Sequence, residues 1–187
     1  MTEKKINKEL KKKWEELSPF FIEENKNWYK EMNKWILENS IEKYTFSQHC
    51  GLFSNLSPMK SVEENKRLFL NYLNGKKGGH FKTQIKKCDE IAKLSNPRPI
   101  LIDNITNGFK TISFWRNIFN PFDNRFVTID RHIHKLAYGG KTMSVTPKRY
   151  RVISSAIKKI AREVDLKPNE VQAVLWSHSK NLYGNNI

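Results

Sequence analysis

The sequence predicts an all-α protein of about eight helices, and three observations carry that expectation. Apolar residues recur every three or four positions through most of the chain. Helix-start signals precede these runs: Ser18-Pro19, Ser61-Val62-Glu63-Glu64, Asp130, Thr146-Pro147 and Lys167-Pro168. The one β-like stretch, Phe126-Val127-Thr128-Ile129, has only four residues.

The first forty residues read as helix, with Ser18 and Pro19 as cap and first turn and Phe21, Trp28, Trp35 and Ile36 at helical spacing. The aromatic residues of this segment (Trp14, Trp28, Tyr29, Trp35) suit core packing, with a base-stacking platform as the alternative. Tyr44 to Leu56 is a second helix, ended by Ser57-Pro58. Ser61 with Glu64 forms a capping box that opens a third, which stops at Asn74-Gly75. A fourth runs from Phe81 to Leu94 and breaks at Asn96-Pro97-Arg98-Pro99. Ile100 to Ile105 is short and apolar, and Asn107-Gly108 is a turn signal. Helices then follow over Thr111 to Ile118, Asp130 to Tyr138, Thr146 to Val164, and from Lys167 through Trp176.

The chain has 187 residues, enough for one domain, and a lopsided charge: 34 Lys and Arg against 19 Asp and Glu, a net +15. A polyanion is the natural partner of such a chain. No apolar run reaches the ~18 residues of a membrane span. The charged start, Met1-Thr2-Glu3-Lys4-Lys5, lacks the apolar stretch of a signal peptide. Two cysteines, Cys50 and Cys88, exclude a disulfide framework and a four-cysteine metal centre. The expected setting is reducing and cytoplasmic.

Two points carry chemistry. Asn107-Gly108-Phe109-Lys110-Thr111 places a lysine at a helix start. The positive end of the helix dipole disfavours a cation there by ~0.3–1 kcal/mol and so favours the neutral, nucleophilic amine. Twenty residues further on stands Val127-Thr128-Ile129-Asp130-Arg131-His132, an apolar run that ends in a carboxylate.

Gly108, Lys110 and Asp130 with His132 resemble the helix-hairpin-helix DNA glycosylases, in which a lysine two residues after the hairpin glycine marks members that remove a base and then nick the strand. A longer series covers residues 46–180: Leu56-Ser57-Pro58, Glu64-Asn65, Lys110 with Phe114, the Asp130 run, Thr146-Pro147-Lys148-Arg149-Tyr150, and Val171-Gln172-Ala173-Val174-Leu175-Trp176. It resembles a little-characterised group of phage and bacterial proteins distantly similar to those glycosylases. The resemblance implies a single two-lobed domain over residues 1–187, with N-terminal helices over 1–45.

It further implies a DNA N-glycosylase with lyase activity, monomeric on duplex DNA with one nucleotide flipped out. Lys110 would be the nucleophile and Asp130 its electrostatic and proton-transfer partner. Gly108, Asn107, Thr111 and Arg131 would contact DNA, and Asn55, Ser57, Asn65, Phe114, Trp115 and His132 would line the base pocket. No cofactor and no metal is implied. The hairpin departs from the family in having one glycine where two are usual, which puts its phosphate-binding half in question.

Plainer readings stand beside these. Lys110 is one surface lysine among many, Asp130 also suits a helix cap, and His132 also suits packing. Asp130, His132 and His134 would share one face of a strand and bind metal, but fan apart if a helix starts at Asp130. A non-catalytic DNA-binding protein with the same fold is the main alternative.

Overall fold

The computed structural model describes residues 2–141 and 144–184. Among them the chain is all-helical and contains no strand. Eleven helices follow one another: α1 (Glu3–Glu15), α2 (Pro19–Lys26), α3 (Trp28–Glu38), α4 (Phe46–Asn55), α5 (Val62–Leu73), α6 (Lys82–Ala92), α7 (Pro99–Thr106), α8 (Phe109–Phe119), α9 (Arg131–Ala137), α10 (Pro147–Glu163) and α11 (Pro168–Tyr183).

Eleven rather than eight has a local cause. The first forty residues form three helices. The Ser18 hydroxyl accepts the Phe21 N–H, with Pro19 in the first turn, so α2 starts anew. Asn27 leaves helical geometry and ends it. The apolar run Ile100 to Ile105 is also a helix, opened by Pro99. The β-like run 126–129 belongs to no helix and pairs with no strand. The Tyr150 hydroxyl donates to the Val127 carbonyl (2.6 Å) and accepts the Ile129 N–H (3.3 Å). One side chain thus supplies bonds that a neighbouring strand would otherwise have given.

The chain divides into two compact units: Met32–Asn120, and the segments before and after it. The chain passes between them within α3 and again at Asn120-Pro121. In the outer unit, α1, α9, α10 and α11 close on one core. Ile6, Leu10 and Trp14 pack there with Ile133 and Leu136, Ile153, Ile157 and Ile160, and Val171, Val174 and Leu175. These positions repeat at helical spacing, so each helix turns one apolar stripe inward. The Tyr29 hydroxyl donates to Gln172 Oε1 at 2.6 Å, so the polar end of this buried ring has a partner.

The inner unit, Met32–Asn120, is built around Leu52, Phe53, Phe69, Ile91, Ile102 and Trp115. Phe69 meets Phe53 edge-on (5.7 Å between ring centres), and Trp35 lies about 6 Å from both. Trp35 therefore serves packing. Gly51 on α4 sits where an added Cβ would lie 2.9 Å from Ile102, so the close approach of α4 and α7 depends on its missing side chain. Cys50 and Cys88 are free thiols buried in this core, and burial pushes both well above the ordinary thiol range.

His49 is fully buried in the same core. Its Nε2 accepts the Ile41 N–H (3.1 Å), and Nδ1 lies 2.9 Å from the Thr45 carbonyl. Both bonds together require the neutral ring protonated at Nδ1. Burial lowers its pKa from the ordinary 6.5, against a smaller upward pull from Thr45. His80, His134 and His178 are lowered by burial too. Below pH 6.5 the unfolded chain therefore binds more protons than the folded one. The stability these rings contribute is complete above pH 6.5 and declines as pH falls below it. Denaturant unfolding at pH 7.5 and pH 5.5 should give the lower midpoint at pH 5.5, and His49→Gln should shrink the difference.

Candidate functional site

The hairpin lies in the inner unit. Helices α7 and α8 are joined by only two residues, Asn107 (φ 43°) and Gly108 (φ 148°). The Gly108 conformation belongs to the region that glycine alone adopts comfortably, which is why this residue type stands here. Asn107 also takes positive φ, and asparagine tolerates that region better than most residues. The Asn107 N–H still reaches the Asp103 carbonyl (2.9 Å) and closes α7. No side chain caps α8. Lys110 is its second residue and is exposed, and Thr111 follows half-buried.

Asp103, Thr106, Arg116 and Lys87 fix this turn together with Trp115 and Asn55. Asp103 on α7 accepts the Trp115 indole N–H (3.0 Å) and the Arg116 guanidinium (3.1 and 2.5 Å) from α8. Arg116 also lies over the Trp115 ring at 4.6 Å. Thr106, the last residue of α7, is buried. Its hydroxyl accepts from Asn55 (3.0 Å) and its carbonyl from Lys87 (2.6 Å). The two helices are thus pinned to each other, and α7 to α4 and α6. Asp103 is an isolated acid in an apolar run (Ile100-Leu101-Ile102-Asp103), and that was the available signal.

The expected base pocket changes accordingly. Trp115 is fully enclosed, so it packs and offers no face to a base. Asn55 is also fully buried and clamps Thr106 and the Gly51 carbonyl. Asn65 is buried, with its amide on the Phe53 carbonyl (3.2 Å). The amides of Asn55 and Asn65 donate within the inner unit, while the side-chain oxygen of each is buried with no hydrogen-bond partner among the described residues. Ser57 is half-buried and closes the end of α4 on the Ser54 carbonyl (2.8 Å). Phe114 is half-buried, 6.3 Å from Phe53.

Asp130 lies in the outer unit, at the start of α9, with its backbone extended. Its Oδ1 accepts the N–H groups of His132 and Ile133, both at 3.0 Å. Its Oδ2 accepts the Trp176 indole N–H at 2.9 Å. The residue is half-buried, and Arg131 beside it is exposed. Trp176 is held in turn by Trp28 (6.1 Å), by the His132 ring edge (6.1 Å) and by Lys180 over its face (4.5 Å). The His132 carbonyl accepts the Ser179 hydroxyl, which fastens α9 to α11.

Trp176 is therefore anchored by a polar contact as well as by packing. A half-buried tryptophan needs a partner for its N–H, and a capping carboxylate has a second oxygen to offer. His134 turns away from Asp130 and stacks on Tyr138 at 4.5 Å. No group of three metal-ligating side chains occurs among the described residues.

One family model matches residues 1–181, a span that includes the hairpin, Asp130 and Trp176. The chain belongs to the DUF7178 family, a family of unknown function. No curated protein and no solved structure matches it. The family match begins 45 residues ahead of the motif series read from the sequence, so the N-terminal helices are part of the family unit.

An Asp130→Ala variant loses the cap and the indole bond together and should lose roughly 1–2 kcal/mol of stability. Asp130→Asn keeps an oxygen for the α9 amides but turns an NH2 toward Trp176, so it should cost less than alanine. Urea unfolding of both, with Trp176→Phe alongside, checks the order.

Proposed function

We propose that the protein is a DNA N-glycosylase with lyase activity, working through a Schiff base on Lys110 with Asp130 as the acidic partner. The observation that carries this reading is the way each group is held. A lysine stands two residues past a glycine of φ 148°, at a helix start that no side chain caps. A carboxylate is fixed by three N–H donors, with lone-pair capacity still left on Oδ2. Exposure of Lys110 and the half-burial of Asp130 suit groups that meet a large polymer.

The chemistry follows from those groups. Neutral Lys110 Nζ attacks the anomeric carbon of a flipped nucleotide, and the bond from that carbon to the base breaks. The base leaves with the bonding electrons and takes up a proton. Asp130 stabilises the positive charge that develops on the sugar. The amine nitrogen then loses a proton as the sugar ring opens to the Schiff base. This acidifies the neighbouring C2′ proton, and its removal expels the 3′ phosphate and cuts the strand. The +15 charge favours approach to the polyanion.

A non-catalytic DNA-binding role is the second reading, and the single glycine of the hairpin favours it. Borohydride trapping separates the two. Duplexes carrying an abasic site, an oxidised guanine or an oxidised pyrimidine are incubated with the protein and reduced. A covalent protein–DNA band is expected, absent in Lys110→Ala and weakened by roughly 10²-fold or more in Asp130→Asn. No band on any duplex, with DNA binding equal in all three proteins, would favour the binding role.

A further inference from the structure

The outer unit carries two rows of cations on two helices that pack together. On α1, Lys4, Lys8 and Lys11 recur at the three- and four-residue spacing that puts them on one face. On α10, Arg151, Lys159 and Arg162 are all exposed, at spacings that fall on one side of the helix. Helix α1 packs against α10. Between them runs a groove of about 500 Å³ lined by Lys4, Lys8, Lys11 and Lys159, together with Glu3 and Glu163.

The charges in the groove are unevenly matched. Lys11 is paired with Glu163 at 2.9 Å, and that lysine holds the Glu163 carboxyl below its ordinary range. Lys4 and Lys8 make no ion pair among the described residues, and both are exposed. Holding unpaired ammonium groups beside one another costs repulsion, which a bound anion relieves.

The shape of the cation row identifies the anion. Lys4 to Lys11, which line the groove, span about 10 Å at 1.5 Å per residue. Roughly three phosphates of one strand occupy that length of duplex axis. A membrane surface would need apolar side chains to insert as well. The apolar residues of both helices (Ile6, Leu10 and Trp14; Ile153, Ile157 and Ile160) are instead enclosed in the core. What these helices offer outward is ionic.

We propose that the α1–α10 groove holds the phosphate backbone of duplex DNA, on the unit that does not carry the hairpin. It shares the polymer with the reading above and requires none of its chemistry.

The test is fluorescence anisotropy with lesion-free duplex DNA across a salt series. A Lys4→Gln, Lys8→Gln, Lys159→Gln triple variant should bind ~10-fold or more weakly near 100 mM salt. Its slope of log affinity against log salt should be shallower by about two to three units. Glu163→Gln, which releases Lys11, should bind a few-fold more tightly. All positions changed are exposed, and circular dichroism checks the fold. Equal affinity and equal slope for the triple variant would overturn the proposal. So would wild-type protein that prefers phosphatidylserine vesicles to DNA. Lys34→Gln, an exposed lysine on α3 outside the groove, run alongside, should keep the full slope. Failure of the groove leaves borohydride trapping intact, and failure of trapping leaves the slope intact, so the two readings fall separately.

Discussion

Three N–H groups converge on one carboxylate, and much of the outer unit is organised by that convergence. Asp130 starts α9 through the amides of His132 and Ile133, and ties it to α11 through the Trp176 indole. Each bond is between a half-buried acceptor and a donor that would otherwise need water. The residues before Asp130 have no sheet to join, so Tyr150 on α10 holds them by its hydroxyl. One acidic side chain and one phenol therefore set where three helices meet. A group oriented from three directions does not swing, and a fixed negative charge is what an electrostatic partner in a reaction requires.

The hairpin of the inner unit follows the same logic with other residues. Asp103 binds both Trp115 and Arg116, while Asn55 and Lys87 hold Thr106. Four polar contacts brace a two-residue turn whose own backbone lies at positive φ. The brace explains how a turn with one glycine keeps its form: asparagine supplies the first unusual residue and glycine the second. Lys110 stands directly after this braced turn, so its helix start is set by the contacts beneath it.

Some of this was legible in the sequence and some was not. The helix class, the Ser18, Thr146 and Asp130 caps, and the stop at Asn74-Gly75 come from local rules, and local rules need only neighbours. The break at Asn27 was missed because no proline or glycine marks it. Helix α7 was missed because eight residues show too little periodicity. Asn55, Asn65 and Trp115, expected at a base pocket, are buried within the inner unit. Residue type alone cannot separate a polar side chain that clamps a buried helix end from one that faces a ligand. The Asp130–Trp176 bond joins residues far apart in the chain, and only the fold brings them together. The cations of α1 and α10 enter the sequence only as part of its net charge, and the groove between the two helices is a tertiary fact.

The central claim is that one lysine among many forms the covalent intermediate. Mass spectrometry of the reduced protein–DNA conjugate, after nuclease and protease digestion, tests it most directly. The account predicts a sugar-derived adduct on the peptide that contains Lys110, and on no other lysine in appreciable amount. An adduct spread over the lysines of α1 and α10, or held by a different single lysine, would contradict it.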